Sequence, residues 1–321
     1  MSTYPASHSV VDVAATRHST AYDEILRPPH QTQLLLAIAD DDVADAAIRV
    51  TAVLAESRNA SPAVLQVVDP SPYAPPPTVP TIIEWAEALI GPSVGEERRQ
   101  AISTRVERVC GQRMPWPVVS RLGGPTACIA DEAHKRHSEF LVLGLHHHRK
   151  IDQLLGEETT VHVLTNAGIP VLGVTRELLA LPHRVLVGVD FSRASMRVAH
   201  LAARLIEPPG ELVLVHVEHA KPTTVPEDAE GIAAIDDEGV HALLERLKCE
   251  VQVPKGVLVK ALRLTSGDPG DALIKYAEHM QPDLIAVASQ RHTRTTRLLL
   301  GSVTRHILRD ARWSVLVTPA A

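Results

Sequence analysis

Small, polar and basic residues between positions 288 and 304 could bind an anion such as a phosphate. The segment Ala288-Ser289-Gln290-Arg291 follows an apolar run, and Gly301-Ser302-Val303-Thr304 opens a pattern that predicts a helix. The first N–H groups of a helix have no partner within the helix and attract anions, and the Ser302 hydroxyl could add a hydrogen bond. Basic residues surround the segment: Arg291, His292, Arg294, Arg297, Arg305, His306 and Arg309. They fit two interpretations, an anion site at the mouth of a sheet or a solvated basic surface.

Two further segments, Gly188-Val189-Asp190 and Val215-His216-Val217, each end an apolar run that predicts a buried strand. In an open α/β sheet, ligands bind outside the carboxyl ends of the strands, where all these segments would meet. Asp190 and His216 end neighbouring strands, and we expect a structural hydrogen bond between them in preference to an acid–base pair. The sequence shows no nucleophile elbow, no recognisable Ser-His-Asp order and no Walker-type motif. We therefore predict a binding site without catalytic residues, with Ser192 as a helix cap.

Two groups of histidines are weak candidates for metal ligands. His146-His147-His148 are consecutive, and adjacent loop residues rarely converge on one ion, so this segment is predicted to be a solvated loop. His134 and His137 lie three residues apart on a predicted helix and could share a face, while Glu132 and Lys135 indicate that this surface is exposed. We predict no metal site.

Composition limits the class of protein. The 321 residues include 32 Lys and Arg against 38 Asp and Glu, and this net charge of −6 argues against a nucleic-acid-binding protein. No apolar run approaches the ~18 residues of a membrane span, and the first ~30 residues lack the apolar segment of a secretory signal. The three cysteines are far apart and form no C-x-x-C pair, which fits a reducing cytosol. We expect a cytoplasmic protein with neither nucleic acid nor membrane as its partner.

The elements that must position these residues occur twice along the chain. The segment 139–144 resembles 283–288, and 169–174 resembles 313–318, each at an offset of 144 residues, which indicates a tandem duplication. In the second copy, strands are predicted at 185–189, 212–217, 257–264, 284–288 and 314–317, and helices at 193–205, 234–250, 268–280 and 302–310. In the first copy, strands are predicted at 34–39, 63–68, 118–122, 140–144 and 170–173.

Strands that alternate with helices predict an α/β fold: two tandem, open, five-stranded parallel-sheet domains of Rossmann-like type with helices on both faces. The continuous Val, Leu and Ile runs fit strands buried on both sides. We place the domains at 33–176 and 182–321, after a polar N-terminal arm at 1–32. The segment Asp69–Pro80 contains six prolines and is predicted to be an extended loop.

The second half of the chain, residues 182–321, resembles the universal stress protein family. Members carry a first strand that ends in Asp, a G-x-P segment before the fourth strand, and Gly-x2-Gly-x9-Gly-[Ser/Thr] before the last helix. Here Gly267-Asp268-Pro269 matches the second feature, and Gly301-Ser302-Val303-Thr304 matches the end of the third. The resemblance covers about residues 33–321 and is most specific in the second half.

The resemblance implies that Asp190 and Val217 hold the adenine of ATP or another adenine nucleotide, and that the glycine motif holds its ribose and phosphates. Ala288 and Arg291 stand where this motif has its first two glycines. The Arg291 side chain could block a phosphate, or its guanidinium could bind one. The residues leave both readings open.

The first half departs further from the pattern. Ala39 replaces the Asp, although Asp40 is next to it. His147 replaces the second glycine, and Glu157 takes the place of the third, or Gly156 does if one residue is skipped. The carboxylates of Glu157 and Glu158 would repel a phosphate at a helix start. We therefore expect a nucleotide in the second half only.

The expected function is that of a regulatory, cytoplasmic stress-response protein, not an enzyme. The alternative is a nucleotide-free interaction scaffold with an unknown protein partner. The third hypothesis is a slow nucleotide hydrolase. Domains of this family commonly pair through their final strands, which would be Val171–Val174 and Val315–Val317 here. Such pairing would give either a homodimer or a pseudo-dimer within one chain.

Overall fold

The computed structural model describes residues 32–39, 41, 43–68, 92–145, 163, 167–219, 237–266, 268–289, 302–310 and 312–319. Residues 1–31 of the predicted arm, the proline-rich loop and the His146-His147-His148 segment lie outside these residues. The domain boundaries given above stay predictions. Below, "first half" means residues 33–176 and "second half" means residues 182–321.

Strands and helices alternate in both halves. In the first half the strands are β1 (Gln33–Ile38), β2 (Ser61–Val68), β3 (Val118–Leu122), β4 (Phe140–Gly144) and β5 (Val171–Val174), and the helices are α1 (Ala44–Arg58), α2 (Pro92–Cys110) and α3 (Pro125–Lys135). In the second half the strands are β6 (Arg184–Gly188), β7 (Gly210–His219), β8 (Val257–Ser266), β9 (Leu284–Ala288) and β10 (Ser314–Thr318). The helices there are α4 (Arg193–Leu205), α5 (Asp237–Glu250), α6 (Pro269–Met280) and α7 (Ser302–Asp310). The predicted strands are all present, and their bounds differ from the prediction by at most two residues.

The ten strands form one sheet in the order β3-β2-β1-β4-β5-β10-β9-β6-β7-β8. Neighbouring strands within each half are parallel, as the α/β prediction requires. The two halves meet where β5 and β10 pair antiparallel, with Leu172 opposite Leu316. The final strands therefore pair within one chain, and the carboxyl ends of the strands in the two halves point to opposite edges of the sheet.

Both faces of this sheet are covered by helices. Alternate strand residues, such as Val185 and Val187 on β6, join a core with α1, α2, α4 and α5. The intervening residues, such as Leu186, join a second core with α3, α6 and α7. Burial on both sides explains why the strands are continuous apolar runs. Among the described residues, no helix is both long and apolar enough to cross a membrane.

Polar side chains define the start of two helices in the second half. The Ser195 N–H donates to the Ser192 hydroxyl at 3.1 Å, which confirms Ser192 as the cap of α4. The Asp271 N–H donates to the Asp268 carboxylate at 3.0 Å, and Pro269 opens α6. Both caps satisfy N–H groups that have no partner within the helix.

The end of α3 differs from the sequence prediction. The helix ends at Lys135, and His137 lies beyond it with a left-handed φ of 50°, so His134 and His137 do not share a helical face. His134, Lys135 and His137 are exposed, as predicted, whereas Glu132 beside them is only 3% exposed. Its carboxylate is buried because it accepts hydrogen bonds from Arg121 and Arg136, each at 2.6 Å.

Candidate functional site

The candidate site lies where the strand order of the second half reverses. From β6 the chain continues to β7 on one side and β8 beyond it, whereas β9 and β10 lie on the other side. Ligands of open α/β sheets bind at the carboxyl ends of the strands flanking such a point. The segment Gly188-Val189-Asp190 ends β6 at this position.

The predicted residues divide between the two faces of the sheet. Val189 and Ala288 pack on the face covered by α4, whereas Val217 packs on the face covered by α6 and α7. Gly188 also faces α6, and a Cβ there would lie 3.1 Å from Leu273 Cδ1 and 3.2 Å from Val287 Cγ1. The close approach of these side chains explains why glycine occupies this position.

A compact turn carries Asp190 at the end of β6. Its carboxylate accepts the Ser192 N–H at 2.9 Å, and its own N–H donates to the Ser195 hydroxyl at 3.3 Å. The Ser195 hydroxyl in turn donates to the Ser192 carbonyl at 3.0 Å. The sequence prediction did not find Ser195, because a serine in the first turn of a helix carries no specific signal. These bonds fix the turn while leaving the Asp190 side chain exposed.

His216 contacts this turn differently from the sequence prediction. Its Nδ1 lies 2.8 Å from the carbonyl oxygen of Val189, which takes the place of the Asp190 carboxylate as the partner. The His216 ring also stacks on Phe191, with ring centroids 4.6 Å apart. Phe191 has a left-handed φ of 60°, a rare conformation for a bulky residue. Neither contact has a simple sequence signal, because one uses a backbone carbonyl and the other a strained backbone.

The start of α7 is attached to β9 beside this turn. Thr304 is buried, and its hydroxyl donates to the Ala288 carbonyl at 3.2 Å. Val303 packs against the core beneath α6 and α7, and Ser302 is exposed at the first position of the helix. The remaining predicted residues, Gln290, Arg291 and Gly301, lie outside the described residues.

One cluster near the start of α6 could hold a metal ion, and the sequence prediction did not find it. Asp268, Asp271 and His306 each offer a ligand atom, and these atoms lie within 4.8 Å of one another. The His306 Nε2 is 3.2 Å from an Asp271 oxygen, and its Nδ1 is 3.6 Å from an Asp268 oxygen. These distances also suit an ion pair that joins α6 to α7.

In the first half, an apolar residue, Val43, directly precedes α1, as Ser192 directly precedes α4 in the second half. Val43, just before α1, is 4% exposed and contacts the end of β4, where a Cβ on Gly144 would lie 3.1 Å from Val43 Cγ1. Ala39 occupies the place of Asp190 after β1. The end of β4 is therefore packed against a valine side chain, and position 39 supplies no carboxylate.

A separate cavity of about 280 Å³ lies at the opposite edge of the second half, beside the link between the halves. It is lined by both acidic and basic side chains, including Arg184, Asp283 and Arg312. The Asp283 carboxylate accepts the backbone N–H groups of His183 and Arg184, both at 2.8 Å. This cavity contains none of the predicted site residues, and its Asp283 holds the link against the sheet.

Comparisons with known proteins agree with this architecture. The pattern of the Universal stress protein family matches the chain twice, over residues 32–175 and 182–319. A universal stress protein from Archaeoglobus fulgidus DSM 4304 is similar in structure, with 18% identity, a TM-score of 0.63, and coverage of 90% of this chain and 98% of that one. A putative universal stress protein from Pseudomonas aeruginosa UCBPP-PA14 aligns with 13% identity and a TM-score of 0.51, over 90% of this chain and 93% of its own.

A third structure, of a universal stress protein in complex with cAMP, aligns with 43% of this chain and 97% of its own length, at 22% identity and a TM-score of 0.33. Among curated proteins, none matches the chain in sequence. The family pattern covers both halves in tandem and most of the chain, and on this ground the chain belongs to the universal stress protein family.

Proposed function

We propose that the second half binds one adenine nucleotide at the carboxyl ends of β6, β7 and β9, and that the chain is a regulatory, cytoplasmic stress-response protein. The observation that supports this most is the turn after β6, which presents an exposed Asp190 at the point of strand reversal. The hydrogen bonds of Ser192 and Ser195 build this turn from residues of the chain alone. A site that is already ordered loses less conformational freedom when a ligand binds.

In this proposal Asp190 and Val217 contact the base, and the start of α7 receives the phosphates. Val217 lies on the face of the sheet covered by α6 and α7, so the base and the N-terminus of α7 would be on one side. Gly188, Val189, Ala288, Gln290, Arg291, Gly301, Ser302, Val303 and Thr304 complete the proposed site. Thr304 would act by holding α7 against β9, because its hydroxyl already donates to Ala288.

The first half would bind no nucleotide. Val43 packs closely against the end of β4, and Ala39, at the position of Asp190, supplies no carboxylate for an adenine. The proposal therefore gives a stoichiometry of one nucleotide per chain.

Calorimetric titration of ATP, ADP and AMP into the wild-type chain tests this proposal, together with mass spectrometry of small molecules released from the purified protein. Asp190→Asn keeps an oxygen for the Ser192 N–H but removes the charge, and we expect it to weaken binding by about 10- to 100-fold. Asp131→Asn, at an exposed position on α3, is the matched control and should leave the affinity unchanged. Absence of released nucleotide, with no heat at millimolar ligand, would rule out the proposed site.

The second candidate function is a nucleotide-free interaction scaffold. Ala288 and Arg291 favour it, because both replace glycines of the family motif. A wild-type chain that binds no nucleotide but copurifies with a stable protein partner would support this candidate. Nucleotide turnover that Asp190→Asn abolishes would instead support the slow hydrolase.

A further inference from the structure

We propose that His216 is a positioning residue of the nucleotide site, which holds the turn carrying Asp190 in place without touching the ligand. This inference rests on the function proposed above. It starts from the 2.8 Å contact between His216 Nδ1 and the Val189 carbonyl. A carbonyl oxygen only accepts, so Nδ1 must carry a proton and donate it.

This hydrogen bond lies at the residue directly before Asp190, so it restrains the position of Asp190. Gly188 on β6 pairs with Val215 on β7, so Val189 and His216 lie side by side one residue later. The carbonyl of Val189, the residue directly before Asp190, therefore accepts a hydrogen bond from a side chain of β7. The Val189 N–H also donates to the Val215 carbonyl at 2.8 Å, so both backbone polar groups of Val189 are bonded to β7.

Phe191 provides a second contact on the other side of Asp190. Its left-handed backbone, with a φ of 60°, is unfavourable for a bulky side chain and persists only where surrounding contacts hold it. The His216 ring is one such contact, at a centroid distance of 4.6 Å and an interplanar angle of 35°. One imidazole therefore contacts the residue before Asp190 and the residue after it.

The face on which His216 lies explains why it acts through Asp190. Strand residues alternate between faces, and Leu212 and Leu214 of β7 belong to the core beneath α4 and α5. His216 continues this series, whereas Val217, the proposed base contact, packs on the opposite face. His216 is thus placed behind the turn, and Val217 is placed on the side of α7.

Three substitutions separate the two contacts. His216→Asn keeps an N–H donor without the ring, His216→Phe keeps a ring without the donor, and His216→Ala removes both. We expect His216→Ala to weaken AMP binding at least 10-fold and each of the other two to weaken it less. His241→Ala, at an exposed position on α5, is the matched control and should have no effect. Equal affinities for wild type and His216→Ala would overturn the inference.

A double-mutant cycle with Asp190→Asn distinguishes positioning from a general loss of stability. If His216 acts through Asp190, His216→Ala should cost less than twofold in AMP affinity once Asp190 is already Asn. A loss that is the same in both backgrounds would overturn the positioning role. The unfolding midpoint of every variant is measured alongside, so that only folded proteins enter the cycle.

Hydrogen exchange tests the same contact without any nucleotide. The Ser192 N–H, which donates to Asp190, should exchange at least 10-fold faster in His216→Ala than in the wild type, while amides of β2 in the first half stay unchanged. If the wild type binds no nucleotide but this change is seen, the proposed function fails and the role of His216 in the turn stands. Unchanged exchange at Ser192 overturns the inference even in a chain that binds AMP.

Discussion

Glu132 is a buried carboxylate whose charge is balanced by two arginines. Burial raises the pKa of Glu132, but the hydrogen bonds and positive charges of Arg121 and Arg136 outweigh that effect and hold the pKa below its ordinary value of 4.5. We expect Glu132→Gln to lower the free energy of unfolding at pH 7 by about 1 to 3 kcal/mol, because two charged donors lose their ionised acceptor. Chemical denaturation of both proteins at pH 7 measures this difference.

The pH dependence of that difference has a definite sign. A carboxylate with a lowered pKa stabilises the fold fully above its unfolded value, here about 4.5, and loses this contribution as the pH falls through the lower folded value. The gap between wild type and Glu132→Gln should therefore narrow below pH 4.5. Glu139→Gln, at an exposed position nearby, serves as the control. A gap that stays constant down to pH 3 would contradict the ion-pair explanation.

The contact between helices α6 and α7 depends on a residue without a side chain. A Cβ on Gly270 would lie 2.9 Å from His306 Nδ1 and 3.0 Å from both Cβ and Cγ of His306. Alanine normally favours a helix over glycine by about 1 kcal/mol, but overpacking costs about 1 to 3 kcal/mol. We expect the steric cost to dominate, so that Gly270→Ala lowers the thermal unfolding midpoint.

The partner in this clash can be tested by its removal. Gly270→Ala should cost less in a His306→Ala background, since only the Cβ of residue 306 then remains in contact. Gly124→Ala is the control, because φ is −64° there and no heavy atom beyond its two chain neighbours lies within 4 Å of an added Cβ. An equal cost of Gly270→Ala in both backgrounds would show that His306 does not limit the helix separation.

At the scale of the whole molecule, the seam between β5 and β10 couples the two halves. Ser314, on β10, accepts the Thr175 N–H at 3.0 Å, and the two hydroxyls are 3.2 Å apart in a buried environment. Because one core also continues across both halves, we expect the chain to unfold in a single transition. We expect Ser314→Ala to lower the free energy of unfolding by about 1 to 3 kcal/mol, because the Thr175 N–H loses its acceptor. Calorimetry, with hydrogen exchange read in peptides of both halves, measures this. Two separate transitions in the wild type would contradict the coupling. Ser57→Ala, at an exposed position on α1, is the control for Ser314→Ala.

The strands and the Ser192 cap were predictable because their signals are local. A strand buried on both faces leaves a continuous apolar run, and a cap leaves a hydroxyl directly before a helix. The burial of Glu132 has no such signal, since its partner Arg121 is on a strand and the helix sequence around it is polar. The contact of His216 with the Val189 carbonyl was equally hidden, because every residue presents a carbonyl. The close contact of Val43 with the end of β4 depends on packing that only the folded chain reveals.

The covalent union of the two halves has a consequence for how such a protein can evolve. In a dimer of identical chains, every substitution appears at both sites, so a residue that closes one crevice also closes the other. The antiparallel seam keeps the two carboxyl edges apart, and the single chain lets each edge mutate alone. The two edges can therefore come to differ, as they do here, where Ala39 follows β1 and Asp190 follows β6 at the corresponding position. Once two copies are fused in one chain, a substitution in one copy no longer has to appear in the other.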